Sequence, residues 1–327
     1  YALVAAGDRV YVALAPNKPL ECLDAATGET LIEYKEAGIP TEVLWHKETL
    51  ILAGGGPVRA IDPKTGKQLW KHEFDSIRTI IGDGSVFFYG KGSGHFISVD
   101  LATGKENWRK KLEKVGEIQF YQDGILYFLS DNTTNAVSAK DGKHLWSFSA
   151  PREKKSRKGA RIPVVFFAQG LCWNTIAASG EVPCHYLGLD PVTGKEVRRV
   201  STASPHSRCY PDVFSENYVY SIDFSCDNLK SGEYSFGANF IRPTCIVSGI
   251  PANGLFYPFV GTCMCTPMCR GMMAVAAAKP EEVKKEKPKW EALLEKGPAY
   301  GKTQDVAIKD VGQEDWPMFR QNAFRSS

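Results

Sequence analysis

Six of the nine cysteines in this 327-residue chain crowd into one stretch, at Cys209, Cys226, Cys245, Cys263, Cys265 and Cys269. With His206 close by in sequence, these thiols form a soft ligand set suited to zinc, copper or a haem-like group. The run Cys263-Met-Cys265-Thr-Pro-Met-Cys269 places thiolates close enough to share a metal. It lacks the paired Cys-x-x-Cys knuckles of structural zinc, and no Cys-x-x-Cys-His is present for covalent haem. Disulfide stapling is the competing use, and such cysteine usage favours an oxidising compartment. Closing Cys209 to Cys245 would contribute roughly 4 kcal/mol in the chain-entropy picture. The odd total leaves at least one cysteine without an intramolecular partner. The residues alone leave thiolate-bound metal, disulfide and free thiol all open.

Other chemistry is sparse. The chain has no Gly-x-Ser-x-Gly, no phosphate-binding loop and no His-Glu-x-x-His. Gly90-Lys-Gly-Ser-Gly94 is glycine-rich but lies between two strand-like runs, with no helix dipole to receive a phosphate. The histidines at 46, 72, 95, 144, 185 and 206 are scattered. His206, Arg208, Tyr210 and Arg242 have the residue types of a lyase groove for acidic polysaccharide, although spacing alone does not bring them to one face. The aspartates Asp24, Asp62, Asp100 and Asp190 recur too regularly for a catalytic set and suit turns.

That regularity points to the elements that must carry any site. Five segments align: CLDAATGETLIEY from Cys22, AIDPKTGKQLWKH from Ala60, SVDLATGKENWRK from Ser98, AVSAKDGKHLWSF from Ala136 and GLDPVTGKEVRRV from Gly188. Their glycines, Gly28, Gly66, Gly104, Gly142 and Gly194, are separated by 38, 38, 38 and 52 residues. A second element, a turn residue followed by an apolar strand, occurs seven times, beginning at Asp8, Glu48, Asp83, Asp123, Gln169, Glu216 and Asn253. The last two modules are therefore expected to keep the hairpin but lose the glycine motif.

Each position has a physical task. Alternation at period two predicts half-buried strands, and Asp-Gly or Gln-Gly tips suit turns that need positive φ. In Asp-x-x-Thr-Gly-Lys the glycine takes a left-handed backbone while Asp and Thr tie up turn amides. The tryptophans four residues past the glycine, Trp70, Trp108 and Trp146, are placed to dock on a neighbouring sheet. Ile32 and Arg198 stand at that position in the first and fifth copies, so docking is expected to be weaker there. A period of 38 predicts an all-β propeller of four-stranded blades, seven to eight in number, with an extended C-terminal tail.

These residues resemble the tryptophan-docking motif of the pyrroloquinoline-quinone-like propeller superfamily. Ala60-Ile-Asp62-Pro-Lys-Thr65-Gly66-Lys67-Gln-Leu-Trp70 matches it at every fixed position. That group includes quinoprotein dehydrogenases and the outer-membrane assembly lipoprotein BamB. His206-Ser-Arg-Cys209-Tyr210, Arg242-Pro-Thr-Cys245, Pro251-Ala-Asn253-Gly254-Leu-Phe-Tyr257 and Cys263-Met-Cys265 look like a planctomycete-type subfamily of such repeat proteins. Asp315-Trp-Pro-Met-Phe-Arg320 is similar to the segment that opens a propeller in this group. Together with a first residue that is not Met, it suggests a piece of a longer polypeptide or assembly.

The resemblance implies two activities to weigh. A quinone cofactor with calcium needs carboxylate and amide ligands, a stacking tryptophan and an aspartate base. The adjacent cysteine pair of the dehydrogenases is absent here, since Met264 separates Cys263 from Cys265. The reading therefore favours a non-catalytic binding or assembly module with no cofactor, presenting loops to a protein or glycan partner. A quinoprotein oxidoreductase with PQQ and calcium, a polysaccharide-active enzyme and a thiolate metal centre stand as alternatives.

Bulk properties agree with a globular sheet protein. Aromatic residues make up 11% and apolar residues 43%, and 40 basic against 37 acidic residues leave a net charge of +3. That balance gives no case for nucleic acid. No stretch approaches the roughly 20 apolar residues of a membrane span. The expected location is periplasmic or extracellular. The propeller is expected over residues 1–278, a charged linker over 279–289, and a tail or closing strand over 290–327. Pro151 to Arg161 is a basic insertion read as a solvated loop.

Overall fold

A computed structural model describes residues 3–15, 17–111, 116–150, 164–176, 185–201, 212–220, 226–235, 249–258 and 274–276. The chain divides into two compact units, Tyr1–Ala276 and Ala277–Ser327. The second unit, with the expected linker and tail, lies outside the described residues. So does the basic stretch 151–161.

Unit one is a series of small antiparallel sheets in strict chain order, which makes it a β-propeller of four-stranded blades. Blade 1 is β1 (Leu3–Ala6), β2 (Arg9–Val12), β3 (Leu20–Asp24) and β4 (Thr30–Tyr34). Blade 2 starts with β5 (Glu42–His46), β6 (Thr49–Ala53) and β7 (Pro57–Ile61). The fifteen-residue β8 (Gln68–Gly82) then serves two blades. Its first half pairs with β7 up to Asp75, and its second half pairs with β9 (Ser85–Gly90) from Ser76 onward. β10 (His95–Asp100) and β11 (Glu106–Lys110) complete blade 3. Residues 68–82 contain no glycine or proline before Gly82, so nothing breaks the ribbon between the two blades.

Blade 4 is β12 (Glu117–Gln122), β13 (Ile125–Ser130), β14 (Thr133–Ser138) and β15 (His144–Ser149). Blade 5 is β16 (Val165–Ala168), β17 (Leu171–Ile176), β18 (His185–Leu189) and β19 (Glu196–Ser201). Blade 6 is shorter, with β20 (Val213–Phe214), β21 (Tyr218–Tyr220), β22 (Cys226–Asn228) and β23 (Tyr234–Ser235). A last hairpin, β24 (Gly249–Ala252) and β25 (Leu255–Pro258), is joined by a bridge from Phe256 to Val275. All seven hairpins expected from the sequence form.

The core lies between blades, not within them. Leu50 and Leu52 of β6 face blade 1 with Tyr11, Leu20 and Cys22, while Ile51 and Ala53 face blade 3 with Val86 and Phe88. Phe87 turns the other way, toward Phe128 and Leu126 of blade 4. Tyr127 then turns toward Cys172 and Leu187 of blade 5, whose Phe166 and Trp173 pack with Val219 and Leu229 of blade 6. The expectation of half-buried strands is thus corrected for the second strands. A blade has a neighbour on each face, so β6 and β9 are apolar and buried on both.

Candidate functional site

The repeated turn closes one end of every blade. In the second copy the Asp62 side chain accepts from the amides of Lys64 (2.8 Å) and Thr65 (3.2 Å), and Gly66 N donates to Asp62 O at 2.9 Å. Asp24, Asp100 and Asp190 make the same contacts in their own turns. These bonds hold all four carboxyls below the usual range. The largest contributions are the Thr27 amide for Asp24, the Lys64 amide for Asp62, and the hydroxyls of Thr103 and Thr193 for Asp100 and Asp190. The fourth copy swaps the roles, with Ser138 at the Asp position and a hydrogen bond from its hydroxyl depressing Asp141.

The preceding blade is fastened onto this turn. Trp70 Nε1 donates to Leu101 O at 2.8 Å, Trp108 Nε1 to Ala139 O at 2.9 Å, and Trp146 Nε1 to Pro191 O at 2.8 Å. In each case the acceptor follows the Asp or Ser that opens the turn. The indoles lie on the turn glycines: a Cβ at Gly104 would stand 2.6 Å from Trp70 Cγ, and one at Gly194 would stand 2.5 Å from Trp146 Cδ2.

Two expectations about this fastening are corrected. The first copy is not left with Ile32 alone, because Tyr34, two residues on and on the same side of β4, supplies the ring. Its hydroxyl donates to Pro63 O at 2.6 Å, its ring lies 3.3 Å from where a Gly66 Cβ would be, and burial raises its phenol well above the ordinary tyrosine range. The sixth module has not lost the glycine motif. Asn228 and Ser231 replace Asp and Thr, with Asn228 Oδ1 accepting from Lys230 N (2.8 Å) and Ser231 N (3.0 Å), and Gly232 N donating to Asn228 O at 2.9 Å. Gly232 follows Gly194 by 38 residues, so the period resumes after one long insertion.

At this end of the sheets the connections are short. The first and second strands of each blade are joined by two or three residues, as at Asp83-Gly84 and Asp123-Gly124, where both backbones have positive φ. The opposite end is different. There β15 ends at Ser149 and β16 begins at Val165, β17 ends at Ile176 and β18 begins at His185, and β19 ends at Ser201 and β20 begins at Val213. β21 and β22, β23 and β24, and β25 and Val275 are likewise joined from that end. The sequence between these strand ends carries His206, Cys209, Cys245, Cys263, Cys265 and Cys269, as well as Arg208, Tyr210 and Arg242, all outside the described residues. Of the proposed ligand set only Cys226 is described, half-buried in β22 opposite Tyr220 and Ser235. Cys22 and Cys172 are buried thiols in separate inter-blade cores, and burial pushes the Cys172 thiol up.

The same open end bears Leu3 (63% exposed), Leu14 (57%), Ile39 (45%) and Ile77 (50%). Beside them Arg78 takes φ 55° at a bulge in β8, and its guanidinium lies 3.7 Å from Glu117 of blade 4. A shallow cleft of about 10 Å³, roughly room for one water, lies between Ile39, Pro40, Gly54-Gly55-Gly56 and Arg59. It is below the roughly 300 Å³ at which small-molecule sites begin. Among the described residues no three His, Cys, Asp or Glu side chains gather to hold a metal. The repeated aspartates are engaged by their own turns and are not the ligands of a calcium-bound quinone.

Residues 54–224, just over half of the chain, match the family described as outer membrane protein assembly factor BamB. The chain belongs to that family. Among solved structures this BamB-family propeller is similar to BamB from Moraxella catarrhalis, with TM-score 0.52, 15% identity, and 79% of this chain and 78% of that one covered. It also matches a quinohemoprotein alcohol dehydrogenase from Pseudomonas putida HK5, with TM-score 0.44, 15% identity, and 79% of this chain but 50% of that one covered. No curated protein sequence matches it. No described helix is long and apolar enough to cross a membrane.

Proposed function

We propose that this BamB-family propeller is a non-catalytic binding or assembly module of an exported bacterial protein. It works in the periplasm or outside the cell, and the open end of its blades receives a protein partner engaged in outer-membrane-protein assembly. The observation that carries the reading is the difference between the two ends. One is sealed by six copies of a turn whose amides, carboxyls and hydroxyls are spent on one another. At the other stop and start the strands that the longest stretches of sequence separate. Loops on a rigid scaffold are where binding is built, and self-satisfied turns offer a partner few free hydrogen-bonding groups. Membership of a family described as an assembly factor supports the choice of partner.

Photo-crosslinkers placed one at a time at Leu14, Ile39 and Ile77, with Val192 in the sealed turn as control, test this in the native host. Adducts to one defined envelope protein from the first three positions, and none from Val192, are expected. Adducts from Val192 alone, or equal yields at all four, would refute it.

A further inference from the structure

We propose that the seam between blades 5 and 6 is built to open, so that the C-terminal blades can detach from a rigid five-blade body. Three features, the first two of them sides of one substitution, set this seam apart. The first is the fastener. At the register position held by Trp70, Trp108 and Trp146 stands Arg198, whose Nη1 reaches the equivalent carbonyl, Leu229 O, at 3.5 Å. That is the outer limit of a hydrogen bond, where the indoles achieve 2.8 to 2.9 Å. Its shorter bond, 2.9 Å, goes back to Gln169 Oε1 at the tip of its own blade. Gln169 in turn receives blade 6 through polar contacts: its amide donates to Glu216 Oε1 at 2.7 Å, and its Nε2 to Asn217 Oδ1 at 3.2 Å. The side chains of Gln169, Arg198, Glu216 and Asn217 are all partly or fully exposed, so water can take the place of each of them.

The second feature is the receiving turn. The glycines at 66, 104, 142 and 194 each have a ring within 3.3 Å of where a Cβ would stand, but no described atom comes within 4 Å at Gly232. The third is the blade itself. Its four strands have two or three residues each, and it buries two carboxylates, Asp212 and Asp227. Asp212 Oδ2 accepts from Tyr186 of blade 5 at 3.3 Å. Buried carboxylates at a boundary cost desolvation that is regained when the boundary opens to water. The apolar contact under this polar clasp sets Phe166, Trp173 and Tyr186 against Phe214, Val219 and Leu229, and parting it leaves the five blades before it folded.

Hydrogen exchange of the full chain, read segment by segment, tests the proposal. In the unaltered protein the amides of β21 and β22 should exchange at least about tenfold faster than those of β13 and β14. Arg198→Ala should speed β21 and β22 by a further several-fold and leave β13 and β14 unchanged. Arg198→Trp, which restores the indole used elsewhere, should slow them. Equal protection of blades 4 and 6 in the unaltered protein, or an Arg198→Ala effect spread over every blade, would overturn the proposal. The crosslinking pattern at Ile39 and Ile77 does not depend on either outcome.

Discussion

Replacing Gly104 by alanine separates two costs that the repeat imposes on its turn glycine. The backbone there has φ 70°, so any Cβ pays for a left-handed conformation, about 1 to 2 kcal/mol. The new methyl would also stand 2.6 Å from Trp70 Cγ and 2.7 Å from Cδ2, atoms of a ring held by its bond to Leu101 O, which is overpacking worth about 1 to 3 kcal/mol. Gly28 is the internal control, at φ 75° with no described atom within 4 Å. Gly28→Ala should therefore lose only the first amount and Gly104→Ala the sum, about 2 to 5 kcal/mol. The two contributions separate in a double-mutant cycle with Trp70→Ala, itself costing about 3 to 5 kcal/mol, because the two closest clashes leave with the ring and only the Cβ at position 70, 2.9 Å away, remains. Equilibrium urea unfolding followed by far-ultraviolet circular dichroism measures all four variants. The double variant should be less destabilised than the sum by about 1 to 3 kcal/mol. Strict additivity, or a Gly28→Ala loss equal to that of Gly104→Ala, would refute the idea that the indole sits on the glycine.

Tyr34→Phe keeps the ring over Gly66 but removes the donor to Pro63 O, so it should cost about 1 kcal/mol, whereas Tyr34→Ala should cost several times more in the same unfolding assay. Turn carboxyls Asp24, Asp62, Asp100, Asp141 and Asp190 titrate lower folded than unfolded, so their contribution is complete above about pH 4 and is lost as pH falls through the depressed folded values. Urea midpoints should hold steady above pH 5 and drop below pH 4, with a shallower drop in Asp62→Asn. Lys47 and Glu48 occupy a two-residue hairpin with φ 43° and 58°, so Lys47→Asn with Glu48→Gly should raise stability by about 1 kcal/mol, scored by the thermal midpoint.

The propeller was legible because its turn chemistry is written in residue types that have few other reasons to recur every 38 positions. What the sequence hid follows the same physics in other letters. Asn228 and Ser231 offer the acceptors that Asp and Thr offer elsewhere, so the sixth turn forms without matching the motif. Tyr34 escaped because strand geometry accepts a ring two positions along on the same face, while a linear motif counts fixed spacing. The joined second and third blades were invisible because residues 68–82 carry a continuous strand pattern with nothing to mark where one blade passes into the next. The open end of the blades was foreseeable only once strand direction was known, because a run of cysteines or lysines does not say from which end of a sheet it departs.

The unbroken ribbon of β8 has a consequence for how the molecule tolerates being cut. Elsewhere, a nick between blades severs only a connecting loop, and the ladders on either side stay whole. Between Phe74 and Arg78 a nick would cut a strand whose backbone is hydrogen-bonded to β7 on one side of the cut and to β9 on the other. A nick should be tolerated in the 35–41 link, yet one at Asp75 would cost the molecule two blades at once.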